Sequence, residues 1–259
     1  MSTTFHDLTE TPGQNGSAEQ LQRMFTRYHF ALNYCTGRDV LEIACGAGQG
    51  LGYLARKARA VWGGDYTESL LRVAQAHYGS RIPLLCLDAH HLPARDGSFD
   101  VILLYEALYY LINPREVFRE FRRVLRPGGT VLITLPNRSL PDFHPSPLSI
   151  GYYTPPELKA LLEPQGFGVT FYGDTPVDYS SIRSRLLAFL KTSVVRLNMM
   201  PKTLKGRERL KRIIYGDLTP IPAEIEGNGF PYVAPEPIAA DRANGQYRVL
   251  YAVAEVLAR

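Results

Sequence analysis

The sequence predicts an α/β fold in which a mostly parallel sheet is covered by helices on both faces. Three observations predict it. Short apolar runs rich in Val, Ile and Leu alternate with amphipathic segments of helical spacing, as strands buried on both faces and joined by crossover helices do. The first of these runs turns into the next helix through a glycine cluster at 46–50. With 259 residues, 45% apolar and 21% charged, the chain has side chains for a sizeable core and is too apolar to be mainly disordered.

The elements follow in order. Residues 1–18 are polar and rich in Thr, Gly and Ser, which predicts a mobile arm. Leu21, Met24, Phe25, Tyr28 and Leu32 recur at helical spacing, so 19–34 reads as an amphipathic helix. Strand runs follow at 39–45, 60–66, 82–89, 99–107 and 130–137. Between them lie helices beginning at Leu51, at 67–78 with Thr67 as N-cap, and at 114–125 with Pro114 in its first turn. Pro127-Gly128-Gly129 should end that last helix. A helix at 155–167 and a strand at 168–174 come next, and 247–258 is one more strand run. Residues 217–246, with five prolines, read as a long ordered loop.

Cysteine usage and charge narrow the class. Cys35, Cys45 and Cys86 cannot form a disulfide framework and contain no C-x-x-C pair, which fits a reducing, cytoplasmic setting. The first residues carry neither a basic start nor an apolar run, and no apolar stretch is long enough for a transmembrane segment. The net charge of +4 is unevenly spread: residues 181–215 hold six Arg and four Lys against Glu208. That segment is +9, so the rest of the chain sums to −5.

The glycine cluster carries the chemistry. In Glu42-Ile43-Ala44-Cys45-Gly46-Ala47-Gly48-Gln49-Gly50 the glycines let backbone approach a ligand at a helix start, although a tight turn alone also calls for small residues. The dinucleotide pattern would need glycine where Leu51 stands, and a phosphate loop would need a lysine that is absent between Val40 and Arg56. A nucleoside with little phosphate remains. Glu42, Asp65 and Asp88 lie at the carboxyl ends of three consecutive strand runs. Asp65 can accept from ribose hydroxyls and Asp88 from an adenine amino group, and together the three acids suit a cationic nucleoside.

The runs D-V-L-E-I-A-C-G-A-G-x-G, G-G-D-Y, L-D-A-H-H-L-P, F-D-V-I and L-R-P-G-G-T-V-L-I-T resemble class I S-adenosylmethionine-dependent methyltransferases of the small-molecule type, over about residues 38–175. The resemblance implies a Rossmann-like, seven-stranded sheet whose last strand is antiparallel, with S-adenosylmethionine as cofactor. It implies an arm and cofactor-covering helix at 1–37, a cofactor-binding core at 38–174, an inserted segment at 175–246, and the last strand at 247–259. Glu42, Ala44 and Gly46 then surround the methionine moiety, with Gly48 shaping the turn. Asp65 goes to the ribose, Tyr66 packs beside the adenine, Asp88 and Ala89 meet its edge, Tyr105 contacts the methionine end, and Tyr28 lines the site from its helix. Cys45 is a small packing residue rather than a nucleophile.

For catalysis, Glu106 and His91 are the candidate bases, each against a plain structural or solvated role, and no metal is expected because His90-His91 has no further ligand at fixed spacing. An O, N or C nucleophile of a small molecule is the expected acceptor. Nucleic-acid base methylation is disfavoured, because those enzymes carry an Asn/Asp-Pro-Pro-aromatic loop where this chain has Tyr105-Glu106-Ala107-Leu108. A membrane-peripheral enzyme on lipids or quinones, or a non-catalytic cofactor-binding subunit, are the alternatives. The 72 residues of 175–246 exceed what a hairpin needs, so a lid over the acceptor is expected, its ten basic residues favouring an acidic or phosphate-bearing acceptor or merely solvating a helix.

Overall fold

Asp39–Ile43 (β2) is buried along its whole length, the mark of a central strand covered on both faces. A computed structural model of the chain describes residues 4–177, 218–227 and 229–257. Before β2 come α1 (Phe5–Leu8), β1 (Asn15–Ser17) and α2 (Ala18–Cys35). After it run α3 (Leu51–Ala55), β3 (Ala60–Asp65), α4 (Glu68–Tyr78), β4 (Leu84–Cys86), β5 (Phe99–Tyr105) and α5 (Pro114–Val124). The chain continues through β6 (Leu125–Pro136), α6 (Pro155–Leu162), β7 (Phe167–Pro176), β8 (Leu218–Pro220), β9 (Glu236–Ile238) and β10 (Tyr247–Val256).

The main sheet has the order β4-β3-β2-β5-β6-β10-β7-β9. Neighbours from β4 to β6 pair in parallel, and β10 slots antiparallel between β6 and β7. Strand order reverses between β2 and β5, and the crevice outside the carboxyl ends of such a pair is where open α/β sheets take ligands. The alternation of side chains sorts each strand into two cores. Leu41, Ile43, Ile102 and Leu104 pack toward α5 and α6, in one cluster with Phe118, Phe121 and Leu162. Val40, Val101, Leu103 and Tyr251 pack toward α2, α3 and α4, in one cluster with Phe25, Leu54 and Leu71.

Several expectations change. The N-terminal arm is built rather than loose: β1 pairs antiparallel with β8, and Gly13 N donates to Ile221 O at 2.9 Å. Polar composition hid this because the arm's bonds run through its backbone. The 217–246 loop supplies two short strands, and β9 adds an eighth strand outside β7. Pro127-Gly128-Gly129 lies inside β6, where the register with β5 slips between Phe99 and Val101. Two runs read as longer are short, since α3 has five residues and β4 three.

Among the described residues of the insertion, none lines the cleft. They brace its backing helices instead. Phe230 stacks on Phe25 at 6.1 Å, Tyr232 lies 4.1 Å from His29, and Ile225 N donates to Gln49 O at 2.9 Å. The basic segment 181–215, with its expected apolar helix face, lies outside the described residues. Among the described residues, no helix is long and apolar enough to cross a membrane.

Candidate active site

The carboxyl ends of β2 to β6 open into a cleft of about 780 Å³, roofed by α1 and the start of α2. One half is built on the glycine turn. Ala44 takes φ +57° and Gly46 φ +58°, so the chain passes through left-handed conformations just after β2. A Cβ on Gly46 would come within 2.9 Å of Thr9 Cγ2 on the arm, so only glycine lets the arm lie that close. Gly46 N donates to Asp65 Oδ2 at 2.8 Å and Thr67 N to Asp65 Oδ1 at 2.7 Å. One carboxylate therefore ties the ends of β2 and β3 together, with its remaining lone pairs left for a ligand.

Glu42 is the electrostatic centre of this half. It is 1% exposed, Tyr28 Oη donates to its Oε1 at 2.6 Å, and its Oε2 is buried without a partner among the described residues. Burial pushes its carboxyl up to about 7, with Tyr28 and Arg27 pulling the other way. Tyr28 reaches it across Gly50, where a Cβ would fall inside the tyrosine ring. Asp88 accepts from His90 N at 2.9 Å and His90 Nδ1 at 2.6 Å, and the His90 amide bond first among its neighbours holds its carboxyl below the ordinary range. Tyr66 lies along the rim, 71% exposed.

The other half holds Glu106, Tyr109, Tyr110, Asn137, Phe143 and Arg248. Glu106 follows β5 with φ +53°, and its N–H donates to Thr134 O at 3.0 Å, so neighbouring β6 helps hold the strained turn. Tyr109 Oη donates to its Oε2 at 3.2 Å. Burial raises the Glu106 carboxyl, and Arg27 and Arg23 oppose that rise.

Tyr28, Glu42, Ala44, Gly46, Asp65, Tyr66, Asp88, Ala89, Tyr105 and Glu106 thus line one cleft. Two predicted site residues do not. His91 is exposed outside the lining, its N–H donating to Asp88 O at 3.0 Å, because the tight turn after Asp88 points His90 inward and His91 away. Gly48 is behind the turn, where its carbonyl accepts from Tyr78 Oη at 2.7 Å and a Cβ would lie 3.0 Å from that ring. It shapes the turn without facing the cleft. Cys45 is buried, and burial pushes its thiol up, which suits packing. Sequence reasoning missed Arg27 and Glu10, and gave Gln49 and Gly50 no role of their own within the motif. Gly50 was legible in the motif itself; Arg27 stood beside Tyr28 but looked like the solvent side of an amphipathic helix.

Residues 41–133 match the family described as a methyltransferase domain. A Mycolicibacterium smegmatis protein named "Probable S-adenosylmethionine-dependent methyltransferase" is 36% identical over 151 residues, covering 55% of this chain and 56% of that protein. Over that stretch the chain is similar to S-adenosylmethionine-dependent methyltransferases. A demethylmenaquinone methyltransferase of Clavibacter sepedonicus is 32% identical over 130 residues, covering 49% of this chain and 52% of that protein. Both matches span little more than half the length of these curated relatives. A solved S-adenosylmethionine-dependent methyltransferase from Archaeoglobus fulgidus has the same fold, with TM-score 0.58 over 93% of this chain and 95% of its own at 18% identity.

The cleft fits S-adenosylmethionine, the cofactor that the relatives' names give. S-adenosylmethionine supplies an electrophilic methyl group on a cationic sulfonium. Glu42 Oε2, without a partner among the described residues, would offer a buried acceptor to its positive end, Asp65 would keep lone pairs for ribose hydroxyls, and Gly46 would leave the backbone uncovered.

Proposed function

We propose that the chain transfers a methyl group from S-adenosylmethionine to an O, N or C nucleophile of a small-molecule acceptor. One observation carries the reading: a single cleft joins a half suited to a cationic nucleoside, centred on the unpartnered Glu42 oxygen, to a half walled by tyrosines and Phe143 that can take a second molecule. Methyl transfer needs the nucleophile, methyl and leaving sulfur held in line, which positioning supplies. Glu42 and Asp65 hold the cofactor half, Tyr28 orients Glu42, and Glu106 takes the proton of an acceptor hydroxyl. Burial suits Glu106 to that role by raising its proton affinity.

Calorimetry with S-adenosylhomocysteine, followed by methyl transfer to panels of phenols, quinols, amines and sugars, tests this. A protein that binds no S-adenosylhomocysteine would overturn it. One that binds it and methylates nothing would favour a cofactor-binding subunit serving a partner.

A second reading has its own support. The relatedness to a demethylmenaquinone methyltransferase and the +9 segment at 181–215 favour a lipid-soluble quinol acceptor taken from an anionic membrane surface. Co-sedimentation with phosphatidylglycerol vesicles at low salt, lost at high salt, is the expected result. The same segment supports an acidic or phosphate-bearing acceptor, which phosphorylated members of the panel would reveal. We place the reaction in the cytoplasm, which the free thiols support.

A further inference from the structure

Arg27 is a largely buried cation with few partners. It projects from α2 into the seam between the two halves of the cleft, where its charge acts on both Glu42 and Glu106. A guanidinium carries five N–H donors and keeps its charge at any working pH. Among the described residues, Arg27 makes one ion pair, Nη2 to Glu10 Oε2 at 3.6 Å, and a cation–π contact with Tyr28 at 5.8 Å. Its guanidinium makes no hydrogen bond to a described residue, and its Nε is buried without a partner. The side chain is 16% exposed, with Nε shut off from solvent and the two terminal nitrogens left to face the cleft.

Burying such a group is costly unless an acceptor meets it. The local acids do not. Glu106 is bonded by Tyr109, and Glu42 by Tyr28. Glu10 stands beyond hydrogen-bond length, with its other oxygen held by the Gln20 side chain. Its backbone is held by Gln49, but its carboxylate is about a third exposed and meets Arg27 only at ion-pair distance.

We infer that Arg27 is the oxyanion receptor of the cleft, pairing through its planar fork with a carboxylate or phenolate of a bound molecule. This rests on the methyltransferase reading for where the two ligands lie. The oxyanion has two sources, the amino-acid carboxylate of the cofactor and an ionised acceptor. Charge at the seam bears on the acceptor as well: a fixed cation there favours an acceptor that reacts as an oxyanion over one that arrives as an ammonium ion. Arginine suits the role better than lysine, because its fork meets both oxygens of a carboxylate.

The test compares wild type, Arg27→Gln and Arg27→Lys by calorimetry with S-adenosylhomocysteine and its decarboxylated counterpart, and by visible titration with para-nitrophenolate. If the cofactor carboxylate is the ligand, Arg27→Gln weakens S-adenosylhomocysteine about ten- to a hundredfold and leaves the decarboxylated compound unchanged. If the acceptor is the ligand, S-adenosylhomocysteine affinity holds while para-nitrophenolate binding drops by a similar factor. Arg27→Lys keeps the charge and should lose a few-fold in whichever arm responds, which covers the case of a Gln variant that fails to fold. Unchanged S-adenosylhomocysteine affinity overturns the proposal if para-nitrophenolate binding is also unchanged or is absent in wild type. Wild type that binds para-nitrophenolate but no S-adenosylhomocysteine would instead refute the methyltransferase reading and leave Arg27 as an oxyanion site.

Discussion

At the scale of single residues, Glu42 and Asp65 do different work with the same functional group. Glu42 is held at the cost of burial. Its folded-state pKa, about 7, lies above the ordinary 4.5, so the ligand-free fold keeps a proton that the unfolded chain has already shed. Its contribution is fully present below pH 4.5 and is lost as pH rises through 7, about 3 kcal/mol at most. Glu42→Gln should therefore flatten the fall in ligand-free thermal stability between those pH values, and calorimetric scans against pH will show it. The same substitution should weaken S-adenosylhomocysteine binding. Asp65 instead ties two strand ends together through Gly46 N and Thr67 N. Asp65→Ala should cost about 1–3 kcal/mol of stability from two unsatisfied amides, together with at least tenfold in S-adenosylhomocysteine affinity. Chemical denaturation and calorimetry measure the two losses separately, and intact affinity would refute the ribose assignment.

At the scale of elements, the turn from β2 to α3 and the helix α2 are one device. Tyr28 reaches Glu42 only because Gly50 leaves its ring room, and Tyr105 Oη braces the same helix turn by donating to Arg27 O at 3.2 Å. Gly50 has φ −92°, so alanine there strains no backbone and acts only by displacing the ring. Gly50→Ala should destabilise the protein by about 1–3 kcal/mol, the range for overpacking a filled site, and should lower cofactor affinity by breaking the Tyr28–Glu42 bond. A crystal structure of the variant with Tyr28 unmoved would refute this. The arm closes the same device from outside, since Gln49 Nε2 donates to Glu10 O at 2.6 Å and Phe5 packs edge-on to Tyr110 at 5.3 Å. Deleting residues 1–13 should leave the sheet folded by circular dichroism and weaken S-adenosylhomocysteine binding, and undiminished binding would remove the arm from the site.

At the scale of the whole molecule, charge is organised at both ends of the strands. The carboxyl ends carry the cleft acids, while a four-membered network of Asp39, Asp100, Arg59 and Arg126 clasps the amino ends of β2 and β5 and the start of β6. The arginines hold Asp39 below the ordinary carboxyl range, and bonds from Asp39 N and Arg126 outweigh burial to do the same for Asp100. Groups with depressed folded-state values stabilise the fold above the ordinary carboxylate range and lose that contribution as pH falls through the folded values. The network therefore predicts a loss of stability below about pH 4, where free carboxylates protonate, opposite in sign to the Glu42 effect. Asp39→Asn should lower thermal stability at neutral pH and reduce the further loss on acidification, and parallel acid denaturation curves for variant and wild type would argue against it.

Most of the sheet was legible because apolar runs, helix periodicity and strand-end acids are local properties of the chain. Leu41, Val101 and Ile133 each lie in a run that no solvated strand could bear, and Glu42, Gly46, Asp65 and Asp88, singled out by type and spacing, line one cleft. Those residues by themselves determined the fold class and the acidic side of the cleft. Tertiary structure alone decided what closes the cleft. The pairing of β1 with β8 joins residues about two hundred positions apart, and backbone bonds of that kind leave no mark on composition. It decided likewise that His90 rather than His91 faces inward and that Gly48 faces away, because a turn's hand sets those directions and spacing does not. The case of Arg27 has the same cause. On a helical wheel a charged side chain beside an apolar stripe reads as solvated, and only the packing of α2 against β5 and β10 turns it toward the seam of the cleft.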